Sequence, residues 1–173
     1  MRKFKETANI ILTGMPGTGK STVGEILAKS LMRPFIDTDL LIQSGEGKRL
    51  GEIISHSGMK HFLALEEKYV MAIGATSSVI STGGSVIYSL KAMNKLASSG
   101  LIVHLDLNLQ KIKERFSCMN ERGVARIPGQ SMESLYEERL PLYKNHSDLS
   151  LDCNNLSPGE IMDKILPAIK NLS

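Results

Sequence analysis

The chain has 173 residues, 42% hydrophobic and 23% charged, which fits one compact domain spanning 1–173 with a sizeable core. Its 21 basic and 18 acidic residues are scattered, so the net charge of +3 excludes a dedicated nucleic-acid surface. No stretch approaches the ~20 apolar residues of a membrane span, and the basic start Met1-Arg2-Lys3 lacks a signal-peptide core, so a cytoplasmic protein is expected.

Ile10-Ile11-Leu12 reads as a buried strand, and Gly14 to Ser21 fits the spacing G-x-x-x-x-G-K-[ST]. From Ser21 to Leu31 the apolar residues Val23, Ile26, Leu27 and Leu31 recur with a helical period. Nucleoside triphosphates carry dense negative charge, which backbone N–H groups can cradle only where side chains stand aside. Gly14, Gly17 and Gly19 meet that need, and the following helix aims its positive end at the same phosphates. Lys20 is placed to reach the outer phosphates and the Ser21 hydroxyl to ligate Mg²⁺, so Gly14, Gly17, Thr18, Gly19, Lys20, Ser21 and Thr22 form the expected ATP-binding set.

Arg33-Pro34 ends that helix, and Phe35-Ile36 begins a second strand that finishes at Asp37-Thr38-Asp39. Ligands of open parallel sheets gather at the carboxyl ends of strands, so this pair is expected to face the phosphate loop. Alternation along an extended strand end would put both carboxylates on one side, one toward the metal shell and one toward a substrate hydroxyl. The competing role is to cap a helix starting near Leu40.

Gly45-Glu46-Gly47-Lys48 reads as a turn, Leu50 to Ser55 as a short helical piece and His56-Ser57-Gly58 as a break. A longer helix from Met59 to Ile73 carries Met59, Phe62, Leu63, Val70 and Ile73 on one face, with Glu66, Glu67 and Lys68 mostly off it. Ser78 to Ser81 is a strand followed by Gly83-Gly84, which is either a close approach to a ligand or an ordinary tight turn.

Ser89 to Ala97 reads as a helix, Leu101 to Leu105 as a strand ending at Asp106, and Leu109 to Cys118 as a helix carrying Arg115. Alternating strands and helices predict an α/β three-layer sandwich around a mainly parallel five-stranded sheet. The rhythm fails from 120 to 131, a stretch with Arg122 and Arg126, and a dozen irregular residues are read as a mobile lid. Met132 to Asn145 is a helix kinked or ended by Pro141, Leu149 to Asp152 the last strand, and Pro158 opens a helix reaching about Ile169. Cys118 and Cys153 lie far apart without metal spacing, and His56, His61 and His104 have no ligand-like arrangement, so none is given a chemical role.

Taken together, Gly14 to Thr22, Asp37-Thr38-Asp39, Gly83-Gly84, the lid arginine, Glu138-Arg139-Leu140-Pro141-Leu142-Tyr143, and Asp152 followed by Pro158 resemble shikimate kinase. That family belongs to the nucleoside-monophosphate-kinase-like branch of P-loop proteins, and the similarity covers nearly the whole chain. The resemblance implies a P-loop NTPase fold and transfer of the ATP γ-phosphoryl group to the 3-hydroxyl of shikimate. It assigns Asp37 to Mg²⁺, Asp39 to the acceptor hydroxyl, Gly83 and Gly84 to backbone contacts with the acceptor, and Arg139 to its carboxylate. It also lays Arg115 against adenine, with the loop before Pro158 on the other side of the base.

The sequence departs from the family at two places. A second carboxylate-binding arginine is expected directly after Phe62, where this chain has Leu63, with Lys60 a candidate replacement. The family's Arg-Pro-Leu in the lid becomes Arg126-Ile127-Pro128, which makes Arg126 the match and Arg122 its rival. The expected function is therefore an ATP- and Mg²⁺-dependent shikimate kinase, monomeric and without nucleic-acid or membrane partners, with Lys20, Asp39 and Arg126 catalytic. The alternatives are a related kinase for another small polyol or hydroxy-acid, and a regulatory nucleotide-binding module without catalysis.

Overall fold

The computed structural model describes residues 7–117, 126 and 129–170. Its centre is the strand β1 (Asn9–Thr13), in which all five residues are buried. Successive strand residues point to opposite faces, so a strand buried throughout must be covered on both sides. β1 is flanked by β3 (Val79–Ser81) and β4 (Gly100–Asp106), with β2 (Phe35–Asp37) beyond β3 and β5 (Leu149–Asp152) beyond β4. All pairings are parallel, giving the order β2-β3-β1-β4-β5. This is the five-stranded parallel sheet expected from the alternating pattern.

Helices α1 (Lys20–Leu31), α2 (Thr38–Glu46), α3 (Leu50–Met71), α4 (Leu90–Ser99), α5 (Leu109–Ser117), α6 (Met132–His146) and α7 (Pro158–Lys170) pack around the sheet. Two close approaches demand glycine. A Cβ on Gly24 of α1 would stand 2.5 Å from the Phe35 ring, and one on Gly100 would run into the Asn9 carbonyl on the neighbouring strand. The main core joins β1, β3 and β4 to α1, α4 and α7 through Ile11, Leu27, Ile80, Leu96, Val103 and Ile165. A second, smaller cluster of Ile42, Ile53, Phe62 and Leu65 lies between α2 and α3.

Several boundaries differ from the sequence reading, each for a local reason. α2 begins at Thr38 rather than near Leu40, because Asp37 caps it by accepting from the N–H groups of Asp39 and Leu40 at 2.9 and 3.3 Å. Asp39 is therefore in the first helical turn, not on an extended strand end. The break expected at 56–58 is found at Gly58, whose φ of 80° and ψ of 165° are non-helical and divide α3 into two helical stretches across a kink. Pro141 lies inside α6, which continues to His146, so it does not terminate the helix. A short 3-10 turn, Val86–Tyr88, precedes α4, and Ser89 is that helix's cap rather than its first residue. Ile26 is exposed despite its helical spacing, because α1 buries only the stripe through Val23, Gly24, Leu27 and Ala28. The expected lid falls mostly outside the described residues, as do Arg122 and Cys118.

Candidate active site

The phosphate loop leaves β1 through Gly14 at φ 147°, Gly17 at φ 82° and Gly19 at φ 93°, the last standing at the start of α1. The Thr18 hydroxyl donates to the Met15 carbonyl at 2.9 Å and tightens the turn. Lys20 Nζ donates to the Gly14 and Met15 carbonyls at 2.8 and 3.0 Å, so its charge is held inside the loop. Burial lowers its pKa to about 8, opposed by the nearby carboxylates of Asp39 and Asp37. Thr22 is exposed in the first turn of α1.

Asp37 is shared between structure and chemistry. One oxygen caps α2, and the other accepts from the Ser21 hydroxyl at 2.6 Å. A carboxylate oxygen and a hydroxyl oxygen at a phosphate loop suit Mg²⁺, a hard cation that takes few protein ligands and completes its shell with phosphates and water. Both oxygens would enter that shell. Two residues on, burial lifts the Asp39 carboxyl to about 6, while Lys20 pulls it down and Asp37 pushes it up. Between them Thr38 ties α2 to the glycine turn after β3, its hydroxyl accepting from the Gly83 N–H at 2.9 Å.

The glycines at 83 and 84 supply space rather than unusual dihedrals. A Cβ at Gly83 would collide with Glu66 Oε1 and stand 2.8 Å from Asp39 Oδ1, and one at Gly84 would stand 2.9 Å from Pro16 Cδ. In this state their backbone groups have protein partners: the Gly84 carbonyl accepts from Arg139 Nη1 at 3.2 Å and from the Tyr143 hydroxyl at 2.5 Å. Arg139 is 1% exposed, and its Nε donates to the Tyr88 hydroxyl at 3.0 Å.

Sequence reasoning missed Glu66, which it placed off the apolar face of α3. The structure buries it to 1% exposure, with the Ser85 hydroxyl donating to Oε2 at 2.7 Å and, among the described residues, no hydrogen bond to Oε1. Burial raises its pKa to about 8, against the opposing Ser85 bond, and Asp39 raises it further. Lys20 and Glu66 each feel the charges of Asp39 and Arg139 as well as each other's, the mark of groups converging on one site. Leu63 packs half-buried on the second apolar cluster, and Lys60 is exposed on the same helix.

On the opposite side of the loop Arg115 Nη1 donates to the Gly17 carbonyl at 3.0 Å. The segment between β5 and α7 comes close to it, since Arg115 is among the charges felt by the Cys153 thiol. Asn154 Oδ1 accepts from the Asn108 N–H at 3.1 Å, joining the loop before Pro158 to the one before α5. Arg126 is exposed, and its Nη1 donates to the Gln130 carbonyl at 3.4 Å.

The family model described as shikimate kinase matches residues 16–170. A shikimate kinase of Sulfurihydrogenibium sp. is 35% identical over 163 residues, covering 94% of this chain and 98% of that protein. A shikimate kinase of Acinetobacter baumannii, solved in complex with shikimate, superposes with a TM-score of 0.88 at 27% identity, covering 95% of this chain and 94% of the other. The Aquifex aeolicus shikimate kinase structure gives 0.79 at 31% identity, covering 94% and 96%.

Proposed function

The chain belongs to the shikimate kinase family, and we propose that its buried Lys20, Asp39 and Arg139 act together to carry the γ-phosphoryl group of ATP to the 3-hydroxyl of shikimate. It is an ATP-dependent kinase that phosphorylates shikimate. The observation that carries the residue roles is that Asp39 and the buried Arg139 flank the Gly83-Gly84 turn and both act on the charge of Lys20.

Phosphoryl transfer asks the protein for positioning and for charge stabilisation. Gly14, Gly17, Thr18, Gly19 and Thr22 frame the phosphates, and Arg115 with the loop before Pro158 borders the base. Lys20 exchanges its two carbonyl partners for the outer phosphate oxygens, where its ammonium offsets the charge that develops during transfer. Ser21 and Asp37 would hold Mg²⁺, which when bound neutralises phosphate charge. Asp39, titrating near 6, is mostly ionised at pH 7 to 8 and accepts a hydrogen bond from the acceptor hydroxyl, orienting it toward the phosphate. Arg139 takes the acceptor's carboxylate, Gly83 and Gly84 leave room for its ring, and Arg126 adds a second cation on the transferred group. The chain works as one domain and as a monomer, in the cytoplasm, on small molecules, without nucleic-acid or membrane partners. Among the described residues no helix is long and apolar enough to cross a membrane.

Coupled ADP release, with shikimate beside a panel of small polyols and hydroxy-acids, tests this reading. Release that depends on shikimate, with the highest kcat/KM of the panel, is expected. A larger kcat/KM with another acceptor would overturn it.

A further inference from the structure

Tyr88 ends the 3-10 turn that follows Gly83 and Gly84, and its side chain meets Arg139 in two ways. The phenol oxygen accepts from Arg139 Nε at 3.0 Å, and the ring lies under the guanidinium with 5.1 Å between its centroid and Cζ. The phenol proton is committed elsewhere, to Glu138 Oε1 at 2.5 Å. Glu138 is held in turn by Gln130, whose Nε2 donates to Oε2 at 2.7 Å. A further contact runs from Arg139 Nη1 to the Gly84 carbonyl at 3.2 Å.

From this geometry we infer that Tyr88, anchored by Glu138, is a positioning residue that fixes the Arg139 guanidinium for the acceptor's carboxylate and so sets selectivity for an anionic acceptor. The inference rests on the proposed role of Arg139. A guanidinium binds a carboxylate best through two parallel N–H bonds, which requires its plane to be set in advance. A hydrogen bond at Nε and an aromatic face below restrict that plane about different axes. Tyr88 can do both because Glu138 takes its proton and leaves the oxygen lone pairs for Nε. Burial and the bond to Glu138 raise the phenol's pKa, which keeps that proton in place at neutral pH. An ordinary surface tyrosine would share the bond to Glu138, but not the paired contacts to an arginine that is 1% exposed. The segment that opens space for the acceptor at Gly83 and Gly84 thus also carries the support of its anion site, four residues beyond Gly84.

The test compares shikimate with its neutral methyl ester as acceptors for wild type and Tyr88→Phe, which keeps the ring and removes only the hydroxyl. In the variant kcat/KM for shikimate should fall about tenfold through KM, the size expected for a charge-assisted bond. KM for ATP and kcat/KM for the ester should stay within about twofold, so the preference for the acid shrinks. Glu138→Gln, which leaves Tyr88 in place but weakens its anchor, should give the same pattern at about threefold. A Tyr88→Phe enzyme with the wild-type acid-to-ester ratio would overturn the inference, as would equal losses on both acceptors. A wild type that does not distinguish acid from ester would instead remove the carboxylate role of Arg139, and the inference with it.

Discussion

Glu66 shows how a single residue can carry a penalty that only its site explains, because a carboxyl group at 1% exposure with Oε1 lacking a hydrogen bond favours its neutral form. Its folded pKa, about 8 against an ordinary 4.5, makes stability largest below pH 4.5 and drains it as pH rises toward 8, where the folded protein must ionise a buried group. Asp39, raised to about 6, acts in the same direction only up to that pH, and His104, lowered to about 4 by burial, acts the opposite way below 6.5. Lys20 shifts mainly above 8. The interval from 6.5 to 8 therefore isolates Glu66, and Glu66→Gln should flatten the fall in Tm that the ligand-free wild type shows there. Parallel slopes for the two proteins in thermal melts would refute the assignment. At the phosphate loop, Lys20→Ala should leave a folded protein whose kcat falls at least about 10²-fold, since the backbone cradle remains while its movable charge is lost. Unchanged turnover in a steady-state assay would move that charge elsewhere. These two residues were not equally legible. Lys20 and Ser21 could be placed because a few contiguous residues set the phosphate loop, and Asp37 because it ends a strand on the same edge of the sheet, whereas Glu66 is buried by a turn at Gly83 that is distant in sequence. The apolar stripe of α3 pointed the wrong way, because it marks contact with a hydrophobic neighbour and carries no sign of a polar cleft.

At the scale of elements, the strands and most helices were legible because both faces of a parallel sheet are buried, which writes continuous apolar runs such as Ile10-Ile11-Leu12 and Leu101-Ile102-Val103 into the chain. Boundaries were less so. Asp37 caps α2 and draws Asp39 into its first turn, so the same carboxylate that serves Ser21 also moved the helix start by two residues from the expected one. Pro141 has no N–H to offer the helix, yet Arg139 and Tyr143 on either side of it are buried against Gly84, and those contacts keep α6 going. Gly58 is the reverse case, a residue whose backbone decides the element. Its φ of 80° with ψ 165° lies in a region essentially reserved for glycine, and nothing among the described residues stands within 4 Å of an added Cβ. Gly58→Ala should thus cost about 1–3 kcal/mol through backbone strain alone. Gly159, in the first turn of α7, has equally open surroundings without a positive φ, and Gly159→Ala should be neutral or stabilise by up to about 1 kcal/mol. Denaturant midpoints at constant m-value decide the matter, and equal effects at the two sites would show that the kink of α3 relaxes freely.

The whole molecule is organised as a sheet-centred core and a smaller apolar cluster between α2 and α3, joined at the acceptor side by polar contacts. Those contacts are the Thr38 hydroxyl with the Gly83 N–H, Ser85 with Glu66, and Ser89 with Glu67 at 2.6 Å. Four buried side chains in the second cluster supply far less apolar burial than the sheet, and its links carry a buried carboxyl, so α2 and the part of α3 that precedes Val70, which is anchored in the main core, should open before β1 and β4 do. An acceptor held between Asp39 on α2 and Arg139 on α6 would bridge the two parts, and opening would then require its release. By linkage, a ligand at a hundred times its Kd adds about 2.7 kcal/mol to any opening that expels it, or close to a hundredfold in exchange rate. Hydrogen exchange should accordingly show α2 and α3 less protected than β1 and β4 in the ligand-free protein. Shikimate should slow exchange in α2 and α3 by up to that factor, while ATP acts mainly on the phosphate loop and α1. Unfolding of the whole chain, which exposes β1 and β4, also expels the ligand, so α2 and α3 should gain the same factor as the sheet if their own opening requires release of the acceptor. Slowing in β1 and β4 with none in α2 and α3 would show that the second cluster opens without releasing the acceptor, and equal protection of sheet and helices in the ligand-free protein would mean that it opens only with the rest of the molecule.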